Sequence, residues 1–162
     1  DLPVKIARPF NTYGPRQSAR AIIPTIITQI LEGKGEIKIG NTFPTRDLTY
    51  VTDTCRALME IAKQSKFMGD VVNIGTNSEV SIQELITKIE KISGRKVKTV
   101  QDKERIRPKK SEVERLISSN EKILSKTNWK PEISLEEGLT KTFQWFEKID
   151  IKSLYKPDRY NV

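Results

Sequence analysis

The chain has 162 residues, 36% of them hydrophobic and 31% charged, with a formal net charge of +8. That balance suits a folded domain with a real core and excludes a disordered chain. No apolar run reaches the length of a membrane span, and the absence of histidine excludes histidine-based acid–base or triad chemistry and leaves no ligand set for an ordinary zinc site.

The charge points to an anionic partner, so nucleic acid has to be weighed. The basic residues are spread along the chain, however. The densest run, Lys103 to Arg115, also carries Glu104, Glu112 and Glu114 and no aromatic residue. A single-strand binder wants interleaved aromatics. The run therefore reads as a solvated basic surface, with no nucleic-acid groove and no membrane partner. The lone Cys55 excludes a disulfide within the chain and fits a reducing, cytoplasmic setting.

Leu2 to Ala7 reads as the first strand, with Val4, Ile6 and Ala7 apolar. The start, Asp1-Leu2-Pro3, lacks the pattern of a signal peptide. An apolar strand opening at the first residue suggests that the chain begins inside a larger α/β protein. Arg8 to Gln17 holds two prolines, a glycine and an asparagine, and so reads as a loop. It lies at the carboxyl end of a strand, where open α/β sheets bind ligands, which makes Asn11 and Arg16 candidate contacts. A structural role for Asn11, satisfying backbone groups, is the other reading.

Ile22, Ile23, Ile26, Ile27, Ile30 and Leu31 recur at helical spacing and form a core stripe. Pro24 fits only the first turn of that helix, and Gly33 and Gly35 end it. Glu36 to Ile39 is a short strand, followed by a turn at Gly40-Asn41-Thr42.

Arg46 to Val51 places an arginine and an aspartate ahead of a β-type run, and Asp53 stands where a helix should be capped. Arg46 is then at the mouth of a strand-to-helix turn. An arginine fork there suits a phosphate or carboxylate, or else Arg46 and Asp47 form a surface pair of little worth. The helix predicted over Thr54 to Lys66 buries Ala57, Leu58 and Ile61. Val71 to Ile74 is a strand ending at Gly75, again where ligands approach.

Ser81 and Glu84 form a capping box, and their helix runs to about Ile92, burying Leu85, Ile86 and Ile89. Lys96 to Val100 is a strand, and Gln101 to Pro108 is polar and irregular. Leu116 to Ser118 is extended, and Ser119 or Asn120 caps a helix through Lys126. A second capping box at Ser134 and Glu137 opens a helix carrying Leu139, Phe143, Trp145 and Phe146. The tail from Asp150 reads as a surface arm. Strands alternate with helices, so the class is α/β.

Several short motifs then stand in one order: Arg8-Pro9-Phe10-Asn11-Thr12-Tyr13-Gly14-Pro15-Arg16, Ile23-Pro24, Arg46-Asp47-Leu48-Thr49-Tyr50-Val51-Thr52-Asp53, Asn73-Ile74-Gly75, Arg107-Pro108, Ser111-Glu112-Val113, Asn128-Trp129-Lys130-Pro131 and Leu135-Glu136-Glu137-Gly138-Leu139. In this register the chain resembles the carboxyl-terminal half of an extended short-chain dehydrogenase/reductase. More narrowly, it resembles the NAD-dependent nucleotide-sugar epimerases and 4,6-dehydratases. The Arg107 to Val113 pattern is similar to the branches acting on UDP-N-acetylglucosamine or GDP-mannose, closest to the UDP-N-acetylglucosamine branch of legionaminic acid formation.

The resemblance implies late Rossmann elements over residues 1–20 and 46–76, a substrate-binding lobe over 21–45 and 77–147, and a surface tail over 148–162. It implies oxidation at the sugar C4 with NAD as hydride acceptor. A dehydratase would then lose water across C5 and C6, whereas an epimerase would return the hydride to the other face of C4. By position, Asn11 would contact the sugar or its diphosphate. Arg46 and Arg107 would bind the diphosphate, Asp47 would orient Arg46, and Glu112 would accept from ribose hydroxyls. Ile23, Pro24, Lys38 and Ile39 would wrap the base, partly through their backbone. Pro9, Phe10 and Asn11 would line the NAD. A UDP-sugar is the implied partner, and a homodimer is a possible assembly.

The family's glycine-rich phosphate loop is missing from these residues, since Gly33, Gly35 and Gly40 have the wrong spacing. No tyrosine is followed by lysine four positions on, so no catalytic pair is present in this chain. The expectation is a half-enzyme that grips substrate and is inactive alone. A basic binding module without catalytic use is the alternative class.

Overall fold

The computed structural model describes residues 2–106, 108 and 111–155. In chain order its elements begin with β1 (Ile6–Pro9), β2 (Asn11–Tyr13), α1 (Ile22–Glu32), β3 (Glu36–Ile39), β4 (Thr45–Arg46), β5 (Leu48–Tyr50) and α2 (Val51–Lys63). They continue with β6 (Val71–Ile74), β7 (Val80–Ser81), α3 (Ile82–Ser93), β8 (Lys98–Gln101), β9 (Arg115–Leu116), α4 (Glu121–Lys126), α5 (Leu135–Glu147) and α6 (Ile151–Leu154). Two compact units result. Among the described residues no helix is long and apolar enough to cross a membrane.

The first unit comprises Asp1–Tyr13, Arg46–Val80 and Leu116–Leu135. Its strands pair in parallel: β1 with β6 from Ile6↔Val71 to Pro9↔Ile74, and β2 with β5 from Asn11↔Leu48 to Tyr13↔Tyr50. Its core joins Ala57, Ile61, Phe67, Val72, Ile74, Ile123 and Trp129, with Ala7 packed against them. The ladder of β1 starts at Ile6, not Leu2, because its partner strand starts at Val71. Helix α2 starts at Val51, three residues before the predicted Thr54. Its buried stripe is Asp53, Thr54, Ala57 and Ile61. Leu58 falls beside that stripe and is 42% exposed, contrary to the sequence reading.

The second unit comprises Gly14–Thr45, Ser81–Arg115 and Glu136–Val162. Its strands β3 and β8 pair in parallel from Glu36↔Lys98 to Ile39↔Gln101. Helix α1 packs on α3 and on β3. The isoleucines of α1 (Ile23, Ile26, Ile27, Ile30) and of β3 (Ile37, Ile39) are all buried, as are Leu85, Ile86 and Ile89 of α3. Pro24 sits in the first turn of α1, where its missing N–H is not needed, and Gly33 ends the helix at φ 80° with its N–H donating to the Ile30 carbonyl. The capping box at Ser81 is complete: Ser81 Oγ accepts from the Glu84 N–H, and the Glu84 carboxylate accepts from the Ser81 N–H.

Residues 116–135 group with residues 1–13 and 46–80, and α4 packs on β6. The expected surface arm is anchored at its near end. Tyr155 is buried, its ring packs on Phe146 at 5.0 Å, and its hydroxyl donates to the Gln17 carbonyl at 2.9 Å.

Candidate functional site

In the first unit the geometry centres on Asn11, Arg46 and Asp47. The parallel register of β2 and β5 sets Asn11 opposite Leu48, so Asn11 reaches the residues just ahead of β5. Its Nδ2 donates to the Asp47 carbonyl at 3.3 Å. The Asp47 N–H donates in turn to the Leu116 carbonyl at 2.9 Å. The backbone that follows Arg46 is thus held on both sides, and Arg46 itself is half-buried.

The Asp47 carboxylate is fully buried. Its Oδ1 accepts from the Thr76 N–H at 2.9 Å and the Thr76 hydroxyl at 2.7 Å. Its Oδ2 accepts from the Asn77 and Ser118 N–H groups, each at 3.1 Å, and from the Ser118 hydroxyl at 2.6 Å. Those five bonds fill a carboxylate's acceptor capacity. The resemblance gave Asp47 the task of orienting Arg46. Its side chain instead ties the loop after β6 to the segment after β9.

Gly75 belongs to the same knot. A Cβ there would overlap Ser118 Oγ and lie 2.6 Å from Ser118 Cβ and 2.9 Å from Asp47 Oδ2. The glycine that the sequence reading placed at a ligand-facing strand end is needed for the close approach of Ser118.

Asp53 is not a helix cap. It is the third residue of α2, 1% exposed, and Tyr50 holds the N-cap position. Its Oδ2 accepts from the Glu132 and Ile133 N–H groups, each at 3.0 Å, and its Oδ1 receives Arg56 at 2.6 Å. The Asp53 carbonyl accepts from the Trp129 indole at 3.0 Å. Asn120 stands at the N-cap of α4 as expected, but its Nδ2 donates to the Gly75 carbonyl.

Pro9 and Phe10 link β1 to β2. Pro9 is exposed, Phe10 is half-buried, and the Phe10 N–H is taken by the Ile74 carbonyl. With Pro9 lacking an N–H, this pair offers ring surface and no free donor. Such chemistry fits a flat ring and not a phosphate. Arg16, in the second unit, is exposed and left-handed at φ 65°.

In the second unit, Ile23 and Ile39 are each 1% exposed and Pro24 is buried. Their side chains serve the core. Lys38 is exposed, yet both of its main-chain groups are engaged: its N–H donates to Gln29 Oε1 at 2.7 Å, and its carbonyl accepts from Gln29 Nε2 at 3.2 Å. Lys38 therefore presents its side chain and not its peptide. Among the described residues it is the one predicted site residue lining an open cavity of about 400 Å³, with Gln29, Gln101, Lys103 and Arg105 also on its wall.

Glu112 is half-buried, and its N–H donates to the Pro108 carbonyl at 3.1 Å. Its Oε2 accepts from Asn41 Nδ2 at 3.2 Å. Arg107 lies outside the described residues. The first unit therefore brings Asn11 and Arg46 together. The second carries Glu112 and Lys38 on its surface and Ile23, Pro24 and Ile39 inside.

Gln29 and Asn41 were not singled out from the sequence. The signal for Gln29 was an amide inside an isoleucine stripe, a polar group that burial obliges to find partners.

The model of the GDP-mannose 4,6 dehydratase family matches residues 1–142. The UDP-N-acetyl-alpha-D-glucosaminuronate decarboxylase of Bacillus cytotoxicus is 34% identical over 154 residues, covering 92% of this chain and 48% of that protein. The human dTDP-D-glucose 4,6-dehydratase is 30% identical, over 91% of this chain and 42% of its own length. Among solved structures, the UDP-glucuronic acid 4-epimerase of Bacillus cereus, in complex with UDP-glucuronic acid and NAD, superposes with a TM-score of 0.81 at 31% identity, over 95% of this chain and 46% of that one. The dTDP-glucose 4,6-dehydratase of Bacillus anthracis, in complex with NAD, gives 0.77 at 30% identity, over 93% of this chain and 46% of that one. The chain thus spans about half the length of the relatives it matches. Its parallel α/β elements are those of Rossmann-fold enzymes. The chain belongs to the NAD-dependent epimerase/dehydratase family of extended short-chain dehydrogenases/reductases.

Proposed function

We propose that this chain is the nucleotide-sugar-binding half of an NAD-dependent 4,6-dehydratase acting on UDP-N-acetylglucosamine. One observation carries the reading: the Asn11 carboxamide holds the Asp47 carbonyl, one residue from Arg46. Two residues to which the resemblance gives the same sugar diphosphate are thereby kept close within one unit. Arg46 supplies a planar, permanently charged fork suited to phosphate oxygens. By the resemblance, Glu112 accepts from ribose hydroxyls and the Lys38 side chain meets the base. Arg107 would be a second diphosphate arginine.

The ring surface of Pro9 and Phe10, with Asn11 beside it, suits the nicotinamide end of NAD. NAD, when bound, supplies hydride acceptance and return. This half contributes grip and orientation. No tyrosine–lysine pair is available here to move the proton, so the 162-residue chain should not turn over a UDP-sugar by itself. A 4-epimerase is the second reading, favoured by the likeness to the UDP-glucuronic acid 4-epimerase. A cytoplasmic setting and a homodimer belong to the proposal; sedimentation of the purified chain tests the latter.

Calorimetry of the chain with UDP-N-acetylglucosamine, UDP-glucose, GDP-mannose and dTDP-glucose tests the assignment. We expect UDP-N-acetylglucosamine to bind most tightly. Arg46→Ala should weaken it by roughly 2 kcal/mol or more, as for a charge-assisted contact. Turnover by the chain alone, or a preference for GDP-mannose, would overturn the reading. Salt-sensitive binding to DNA with indifference to UDP would favour the basic-module alternative.

A further inference from the structure

The half-buried turn after β3 is held on both sides. A Cβ on Gly40 would overlap the Arg105 carbonyl oxygen, so this glycine lets two backbones touch. The Asp102 N–H donates to the Ile39 carbonyl at 2.9 Å, just before the turn. At its far side the Gln83 N–H donates to the Thr42 carbonyl at 2.9 Å, and the Ile82 N–H to the Pro44 carbonyl at 3.1 Å. Asn41 therefore stands on a loop anchored before and after it.

From that loop its carboxamide is ordered in one direction. Gln101 Nε2 donates to Asn41 Oδ1 at 3.4 Å, and Asn41 Nδ2 donates to Glu112 Oε2 at 3.2 Å. A rotated Asn41 amide would set Oδ1 against the Glu112 carboxylate and its amino group against the donor of Gln101. The relay works one way round only.

We infer that Asn41 is a positioning residue for the nucleotide ribose: held by Gln101, it fixes the Glu112 carboxylate in the orientation that accepts from the ribose hydroxyls. The inference rests on the reading of Glu112 given above and extends it to a residue that does not itself touch the ligand. A carboxylate on a flexible side chain loses rotamer freedom when it receives a diol. An N–H already donating to one oxygen removes part of that cost.

The test is ribose discrimination by the chain, measured as the affinity ratio of UDP to 2′-deoxy-UDP. The wild type should prefer UDP. Asn41→Ala and the near-isosteric Asn41→Asp, which replaces the donor by an acceptor, should each lower that preference by about tenfold, the worth of one hydrogen bond to a charged group. Gln101→Ala, at an exposed position, should lower it in the same direction by a smaller factor and leave the melting temperature unchanged. Glu112→Ala should abolish it.

A ratio unmoved by both Asn41 variants and by Gln101→Ala, with Glu112→Ala abolishing it, overturns the inference and leaves the binding role of Glu112 standing. A ratio unmoved by Glu112→Ala, or no UDP binding at all, brings down the underlying reading as well.

Discussion

The Ser118 hydroxyl donates to Asp47 Oδ2 at 2.6 Å across 71 residues of sequence, and Gly75 packs against both side chains. This knot fixes the backbone beside Arg46, so its loss should be felt in stability first and in ligand binding second. Asp47→Ala would leave the Thr76, Asn77 and Ser118 N–H groups short of an acceptor. A cost of at least about 3 kcal/mol is expected, since each buried donor left unpaired is expensive. Urea unfolding measures it. A change below about 1 kcal/mol, the worth of a single ordinary hydrogen bond, would refute the role.

Gly75→Ala should destabilise by about 1–3 kcal/mol through overpacking. The double variant Gly75→Ala with Ser118→Ala should cost less than the sum of the two singles, because one clash atom is gone. Coupling of that sign in a double-mutant cycle is the expected result.

Asp53→Ala should release the segment that follows Trp129. We expect a loss of about 2–4 kcal/mol, from two orphaned N–H donors and the loss of one of the carboxylate partners of Arg56, which keeps Glu132 and the Lys130 carbonyl. Hydrogen exchange should accelerate most at the Glu132 and Ile133 amides. Uniform acceleration across α2 would instead indicate a general helix effect.

Tyr155 and Glu84 make opposite predictions about pH. Burial raises the Tyr155 phenol above the ordinary 10.0, so folding favours the protonated form. Its contribution is complete below that value and is lost as pH rises through the higher folded one. Tyr155→Phe should flatten the alkaline limb of stability. For Glu84, the Ser81 N–H and then the Ser81 hydroxyl hold the carboxyl below the ordinary 4.5. Its contribution is present above 4.5 and fades as pH falls through the lower folded value. Glu84→Gln should flatten the acid limb. Melting curves from pH 3 to 11 cover both.

Local chemistry was legible. The capping box at Ser81, the end of α1 at Gly33 and the strand at Val71 each depend on neighbours within a few residues, and each was placed from sequence. Asp53 shows the limit. An aspartate near a helix start reads as a cap, but the Asp53 carboxylate belongs to amides 79 and 80 residues away. Leu58 fails for a related reason: its spacing allowed either side of the stripe, and packing decided. The motif order gave the family and a set of candidate contacts. It could not show that Asp47 spends its carboxylate on loops, or that Ile23 and Ile39 turn inward, because those outcomes depend on long-range partners.

The Gln29 clamp on Lys38 has a bearing beyond ligand binding. Strand β3 has β8 on one side, and a bare second side would be a template for foreign strands. By donating to and accepting from the same residue, the Gln29 carboxamide imitates one residue of a neighbouring strand. It fills that edge at Lys38 without lengthening the sheet. A helix side chain thus occupies, at Lys38, the main-chain groups that a foreign strand would have to pair with.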